Sequence, residues 1–309
     1  GLIKGADWFV DGASAVAKKL GVSSLLIGLT VVAFGTSAPE LVVNVVSGLQ
    51  GSAGVALGNI NGSNIANILL ILGVSGIVAK RIHVQKTTVA REIPFVIAAS
   101  ALLALLMGTG WSLTRADGVI LLAGFLGFLI YLYKMAKQDR SILDIDLSKQ
   151  QVSSLKAGAL LVIGLIALVG GGILTVNAAT SIALELGISE ALIGLTLVAF
   201  GTSLPELVTS VTAARKGETD LLVGGIVGSN IFNILLVLGV TVLVSPSSIL
   251  TGTADLTDAL VALSAASLLL MILWIMKLGR KKRATFVHWG GGLFLVLYAV
   301  YLVFIVVRG

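Results

Sequence analysis

Two glutamates interrupt long apolar runs of this chain, Glu40 in GTSAPE at 35–40 and Glu206 in GTSLPE at 201–206. A charged side chain at the middle of a membrane span costs about 3 kcal/mol on insertion scales, so it faces a polar interior and marks a pathway. Each glutamate follows a proline. Pro39 and Pro205 lack an N–H and crowd the carbonyl four residues back, which breaks a helix locally. Broken backbone at membrane depth is tolerated only where it is buried in protein or lines a cavity. It offers carbonyl oxygens, which hard cations accept as ligands. Thr36 and Ser37 precede Glu40 by four and three residues and share its helix face. Thr202 and Ser203 stand in the same relation to Glu206. Further along each half, Ser63 and Asn67, and Ser229 and Asn233, are i, i+4 pairs. Carboxylates, hydroxyls, amides and freed carbonyls form an all-oxygen set. Such a set suits calcium or sodium rather than zinc or copper, and the absence of cysteine excludes thiolate sites.

Other readings of these residues are blander. A lone Ser or Thr in a membrane helix usually bonds its own backbone, and GNING at 58–62 and GGIVG at 224–228 fit close helix packing. A lone buried Glu can serve as partner to a basic residue. Here the whole motif occurs twice, with no Lys or Arg in the adjoining apolar segments. Asn61-Gly62-Ser63 matches a glycosylation acceptor but falls inside an apolar run. His83 and His288 sit in or beside basic segments and read as solvated. Asp7 and Asp11 read as helix-end or interface polarity, and Asp255 and Asp258 as a helix first turn.

The elements that must position these groups follow from composition. Of the 309 residues, 57% are hydrophobic and 12% charged, with a mean hydropathy of +1.06. The apolar runs predict ten spans, at 1–18, 22–48, 54–79, 93–109, 116–135, 156–183, 190–214, 220–244, 257–276 and 288–307. The net charge of +6 invites a nucleic-acid reading. With the amino terminus outside, however, 18 of the 21 basic residues fall in inward connections, leaving Lys4, Arg115 and Arg308 outside. The positive-inside bias therefore places both termini on the extracytoplasmic side.

The two halves repeat. Gly28 to Val42 and Gly194 to Val208 agree at thirteen of fifteen positions, at an offset of 166. The same offset carries GSNIANILLILGV at 62–74 onto GSNIFNILLVLGV at 228–240. Five spans per repeat invert the second half, an architecture that places substrate sites near the midplane. The expected fold is thus an all-α polytopic membrane protein of two inverted five-helix repeats, with broken helices 2 and 7 at its core. The first repeat is 1–140, a cytoplasmic linker is 141–155, and the second repeat is 156–309. The second repeat has an apolar run before Gly171 with almost no counterpart in the first, so the first helix is expected to begin upstream of residue 1.

GTSAPE and GTSLPE, each followed by GSNIxNI, resemble the two alpha repeats of the cation/calcium antiporter superfamily, and within it the sodium/calcium exchanger branch. The resemblance covers essentially the whole chain. It implies a core of the second, third, seventh and eighth helices around four cation sites. Matched by position, Glu40 and Glu206 would bind calcium with backbone oxygens at Thr36 and Thr202. Sodium would be shared among Ala33, Thr36, Ser37, Glu40 and Ser63, and among Ala199, Thr202, Ser203, Glu206 and Ser229, with Asn67 and Asn233 lining the centre. The potassium-dependent branch carries Asp where this chain has Asn233, which argues against potassium. The proton-coupled branch has GN-x-x-E in place of GTSxPE.

The expected activity is electrogenic, potassium-independent exchange of calcium for sodium by alternating access in the plasma membrane. Proton/calcium exchange is the alternative, and a channel or a membrane interaction protein the rivals of other classes. No enzyme motif is present. The expectation includes no cofactor beyond calcium and sodium as transported substrates, and no partner beyond the bilayer. No nucleic acid is expected, and a monomer is the expected unit.

Overall fold

The computed structural model describes residues 1–51, 53–142, 153–185, 199–278 and 284–308. The protein is an α-helical membrane protein. Its helices in chain order are α1 (Leu2–Leu20), α2 (Ser24–Thr36), α3 (Ala38–Leu49), α4 (Val55–Ala79), α5 (Thr88–Gly110), α6 (Arg115–Gln138) and α7 (Leu155–Ile182). There follow α8 (Ala199–Thr202), α9 (Leu204–Lys216), α10 (Thr219–Val244), α11 (Thr253–Met276) and α12 (His288–Arg308). Among the described residues seven of these are long and apolar enough to cross a bilayer, and the α2/α3 pair adds a broken eighth. The shortfall against ten expected spans has physical reasons. Lys4, Asp7, Asp11, Lys18 and Lys19 make α1 more polar than the other long helices, and residues 190–198, before α8, lie outside the described residues.

The two breaks are alike. α2 and α3 meet at 47°, and the residue between them, Ser37, has φ −86° and ψ 6°. Ser203, between α8 and α9, has φ −87° and ψ 2°. Both lie in the sparsely used region between helix and strand. Pro39 and Pro205 each occupy the second position of the following helix, where a missing N–H is tolerated. A second irregularity also repeats at the same offset. α4 carries a π-helical turn at Ala66–Ile71 and α10 one at Phe232–Val237, each holding an asparagine in its second position. Such turns insert a residue into the helical ladder and re-aim the side chains beside them.

α4 and α10 form the centre, with 67% and 83% of their apolar stretches buried, against 17% for α7. α1 lies along α7 almost backbone to backbone. A Cβ on Gly5 would stand 2.5 Å from Leu168 N, and one on Gly164 would stand 2.4 Å from Phe9 N. This pair also touches the first break, since a Cβ on Gly35 would meet Leu165 Cδ1 at 3.2 Å and Phe9 Cζ at 3.3 Å.

Three sequence expectations change. α5 begins at Thr88 rather than 93, through a π-helical turn at Thr88–Glu92, so Arg91 and Glu92 belong to a helix rather than a connection. α11 begins at Thr253 rather than 257, which puts Asp255 in its first turn but Asp258 beyond it, paired with Arg308 at 2.9 Å. The fold also contains two short antiparallel ribbons that an all-α reading omits. β1 (Arg81–Val84) pairs with β4 (Ala284–Val287), and β2 (Ser112–Leu113) pairs with β3 (Ile249–Leu250). The linker residues 143–152 lie outside the described residues.

Candidate cation site

The two breaks bring the two motifs face to face. Ser37 donates its hydroxyl to Glu206 Oε1 at 3.1 Å, and Ser203 donates to Glu40 Oε1 at 3.5 Å. The serine and the glutamate of each motif therefore do not serve each other, as a shared helix face suggested, but cross to the other repeat. Ser203 Oγ also lies 3.1 Å from Ser63 Oγ on α4. Glu40 and Glu206 are 1% and 4% exposed. Among the described residues the ion pairs are Lys216 with Asp7 and Asp11, and Arg308 with Asp258. Among the described residues neither of these two glutamates has a basic side chain to offset its charge, and an uncompensated buried charge is costly.

Around this pair the remaining residues fall into two groups. Thr36 is buried but its hydroxyl donates to Val32 O at 3.0 Å, the backbone bond common for membrane-helix hydroxyls. Its own backbone and that of Ala33 turn at the break, where Ser37 N donates to Ala33 O at 3.0 Å. Thr202 Oγ1 donates to Asn59 Oδ1 at 3.2 Å on α4, and Ala199 opens α8. Asn233 donates to Asn64 Oδ1 at 3.2 Å. Ser63, Ser229, Asn67 and Asn233 are all buried. Among the described residues Glu40 Oε2, Glu206 Oε2, both amide atoms of Asn67, Asn233 Oδ1 and Ser229 Oγ are buried without a hydrogen-bond partner. Buried polar atoms are almost always satisfied, so a cluster of orphaned oxygens requires an explanation. A hard cation supplies one, because it binds oxygens of every one of these types.

Sequence reasoning missed several polar neighbours. Asn64 and Asn230 stand inside the quoted GSN motifs, so the repeat itself carried their signal. Asn44, whose amide donates to Glu40 O at 2.7 Å, lies four residues beyond Glu40 on its face. Glu92 is a third buried acid, with Tyr131 donating to its Oε1. Its place beside Arg91 gave it the look of a loop residue. Asp7 and Asp11 hold Lys216 at 3.6 and 2.7 Å, so their polarity serves a helix contact between α1 and α9.

The sequence matches the family described as sodium/calcium exchanger protein over residues 1–134 and 156–307. The chain belongs to the sodium/calcium exchanger family. It is 43% identical over 287 residues to CaxA of Alkalimonas amylolytica, covering 91% of this chain and 89% of the relative. It is 31% identical over 346 residues to sodium/calcium exchanger MaX1 of Methanosarcina acetivorans, covering 98% and 94%. The fold superposes on the sodium-calcium exchanger NCX_Mj soaked with 2.5 mM Na+ and 1 mM Sr2+, with a TM-score of 0.82 and 34% identity, covering 97% of this chain and 93% of that one. A 49-residue stretch, 16% of the chain, is also 59% identical to human sodium/potassium/calcium exchanger 2. The family is one of transporters rather than enzymes.

Proposed function

We propose that this exchanger moves calcium against sodium by alternating access, with both ions competing for one site between the repeats. The observation that carries the reading is the reciprocal crossing of Ser37 to Glu206 and Ser203 to Glu40. It makes one composite site of two motifs, so calcium and sodium cannot occupy separate carboxylates independently. Glu40, Glu206 and backbone oxygens at Thr36 and Thr202 hold calcium. Sodium is shared by Ala33, Thr36, Ser37, Glu40 and Ser63 in one half and by Ala199, Thr202, Ser203, Glu206 and Ser229 in the other. Asn67 and Asn233 line the centre.

Two carboxylates neutralise one calcium, and three or more sodium ions in exchange make the cycle electrogenic. An amide at 233 in place of an acid leaves potassium no countercharge. Ten transmembrane helices in two inverted repeats, 1–140 and 156–309 joined by a cytoplasmic linker, place both termini outside the plasma membrane. α1 and α7, which meet through glycines and lean on the break at Gly35, slide over the core to expose the site to each side in turn.

The test is radioactive calcium uptake into proteoliposomes with sodium, potassium and proton gradients imposed separately. Uptake driven by sodium alone, with charge movement, is the expected result. Uptake that follows the pH gradient and ignores sodium establishes proton/calcium exchange instead. Leak without any counter-ion makes the protein a channel.

A further inference from the structure

The two GSNIxN segments have the same sequence pattern but different hydrogen bonding. In α4 and α10 the motif asparagines are Asn64 with Asn67 and Asn230 with Asn233, related by the offset of 166. All four are about 1% exposed. Asn233 donates its amide to Asn64 Oδ1 at 3.2 Å, which leaves Asn233 Oδ1 buried and unpartnered among the described residues. The repeat-related contact, from Asn67 to Asn230, is not made. Asn230 instead donates to Ile226 O, one turn back in its own helix, at 2.7 Å. Asn67 keeps both amide atoms unpartnered among the described residues.

An amide ligates a cation only through its oxygen, because its NH₂ group is a donor and repels positive charge. An asparagine at a cation site must therefore have its nitrogen held elsewhere. Asn233 sits in the π-helical turn Phe232–Val237, and its amide donates to Asn64 on α4 rather than one turn back in its own helix as Asn230 does. The acceptor comes from the other repeat, from Asn64, which lies two residues before the turn Ala66–Ile71. We propose that Asn64 is a positioning residue for Asn233, taking its N–H so that its carbonyl oxygen faces the cations. In the state described here the clamp is one-sided, engaged on Asn233 and open on Asn67. The inference rests on the cation site proposed above and adds a residue that touches no ion. It also gives the amide at 233 a specific demand, since a carboxylate there has no hydrogen to give Asn64 Oδ1.

The test is calcium binding to the purified, detergent-solubilised chain, titrated with radioactive calcium and checked for folding by thermal melting. Asn64→Leu keeps the branched shape, at a larger volume, and removes the acceptor, and is expected to weaken calcium binding about tenfold, the effect of one lost buried hydrogen bond. Asn64→Asp keeps the acceptor and is expected to bind at least as tightly as the unaltered chain. In an Asn233→Ala background Asn64→Leu is expected to cost nothing further, because contacting residues of one network are not additive. Losses that add in the double variant, or an Asn64→Asp chain as weak as Asn64→Leu, overturn the inference while leaving the cation site intact. An unaltered chain that binds no calcium overturns both.

Discussion

Ser37 and Glu206 stand 169 residues apart, yet the serine hydroxyl rests 3.1 Å from the glutamate Oε1 in a site closed to solvent. The bond joins the break of one repeat to the acid of the other, and Ser203 returns it to Glu40 at 3.5 Å. Removing either hydroxyl takes a hydrogen bond from a buried carboxylate, a loss of about 1.5–3 kcal/mol when the group is charged. Ser37→Ala is expected to raise the calcium KM of uptake at least tenfold, and Ser203→Ala by less, because the Ser203 hydroxyl is 3.5 Å from Glu40 and also reaches Ser63 Oγ at 3.1 Å. Because the two bonds brace one pair of acids, the double variant should fall short of the product of the two losses.

The carboxylates themselves are expected to be indispensable. Glu40→Gln and Glu206→Gln keep shape and remove one charge each, which leaves a calcium ion half neutralised. Sodium-driven uptake of radioactive calcium in proteoliposomes should vanish in both. The chains should still fold, because each substitution relieves an uncompensated buried charge, and melting temperatures should hold or rise. Full exchange in Glu40→Gln would refute the site.

Close approach of α1 and α7 should be intolerant of size. A Cβ at Gly5 meets the backbone of Leu168 at 2.5 Å, and no side-chain rotation relieves that. Gly5→Val is expected to cost about 1–3 kcal/mol through overpacking. Exchange should slow more than calcium binding weakens, since the contact lies in the pair proposed to slide. Comparing maximal uptake rate with equilibrium binding separates the two.

The two kinds of ion pair should differ sharply. Arg308 grips Asp258 with both nitrogens, at 2.9 Å each, and the Asp258 side chain is 11% exposed. Arg308→Met abandons that carboxylate and is expected to cost about 3 kcal/mol. Lys216 bonds Asp11 at 2.7 Å, but the Asp11 side chain is 56% exposed, so Lys216→Met should cost under about 1 kcal/mol. Thermal unfolding in one detergent checks the order.

Much of this was legible because the chain states its design twice. Pro39 and Pro205 announce the breaks, and the helices on either side of each follow from apolar length. The direction of side chains was not legible. Spacing placed Ser37 on the face of Glu40, but at φ −86° and ψ 6° the serine leaves the helical path and points across the interface. The asparagines suffered likewise, because a π-helical turn inserts a residue that no periodicity count anticipates. Glu92 was overlooked because charge next to Arg91 reads as a loop, whereas Tyr131 on α6 supplies a partner that lies far away in sequence. The ribbons escaped because strands of two to four residues, paired across the chain, leave no pattern of their own.

Those ribbons bear on how the molecule deforms. β1 comes from the first half and β4 from the second, and likewise β2 and β3. α5 runs from β1 to β2, so its 23 residues separate the ribbons by about 34 Å. The halves are buttoned to each other at top and bottom, like a frame fixed at both rails. Such a frame resists rocking of one half against the other. Among the described residues no ribbon crosses the pair α1 with α7, so under the proposed mechanism this pair is the shutter and the ribboned helices are the frame that stays still.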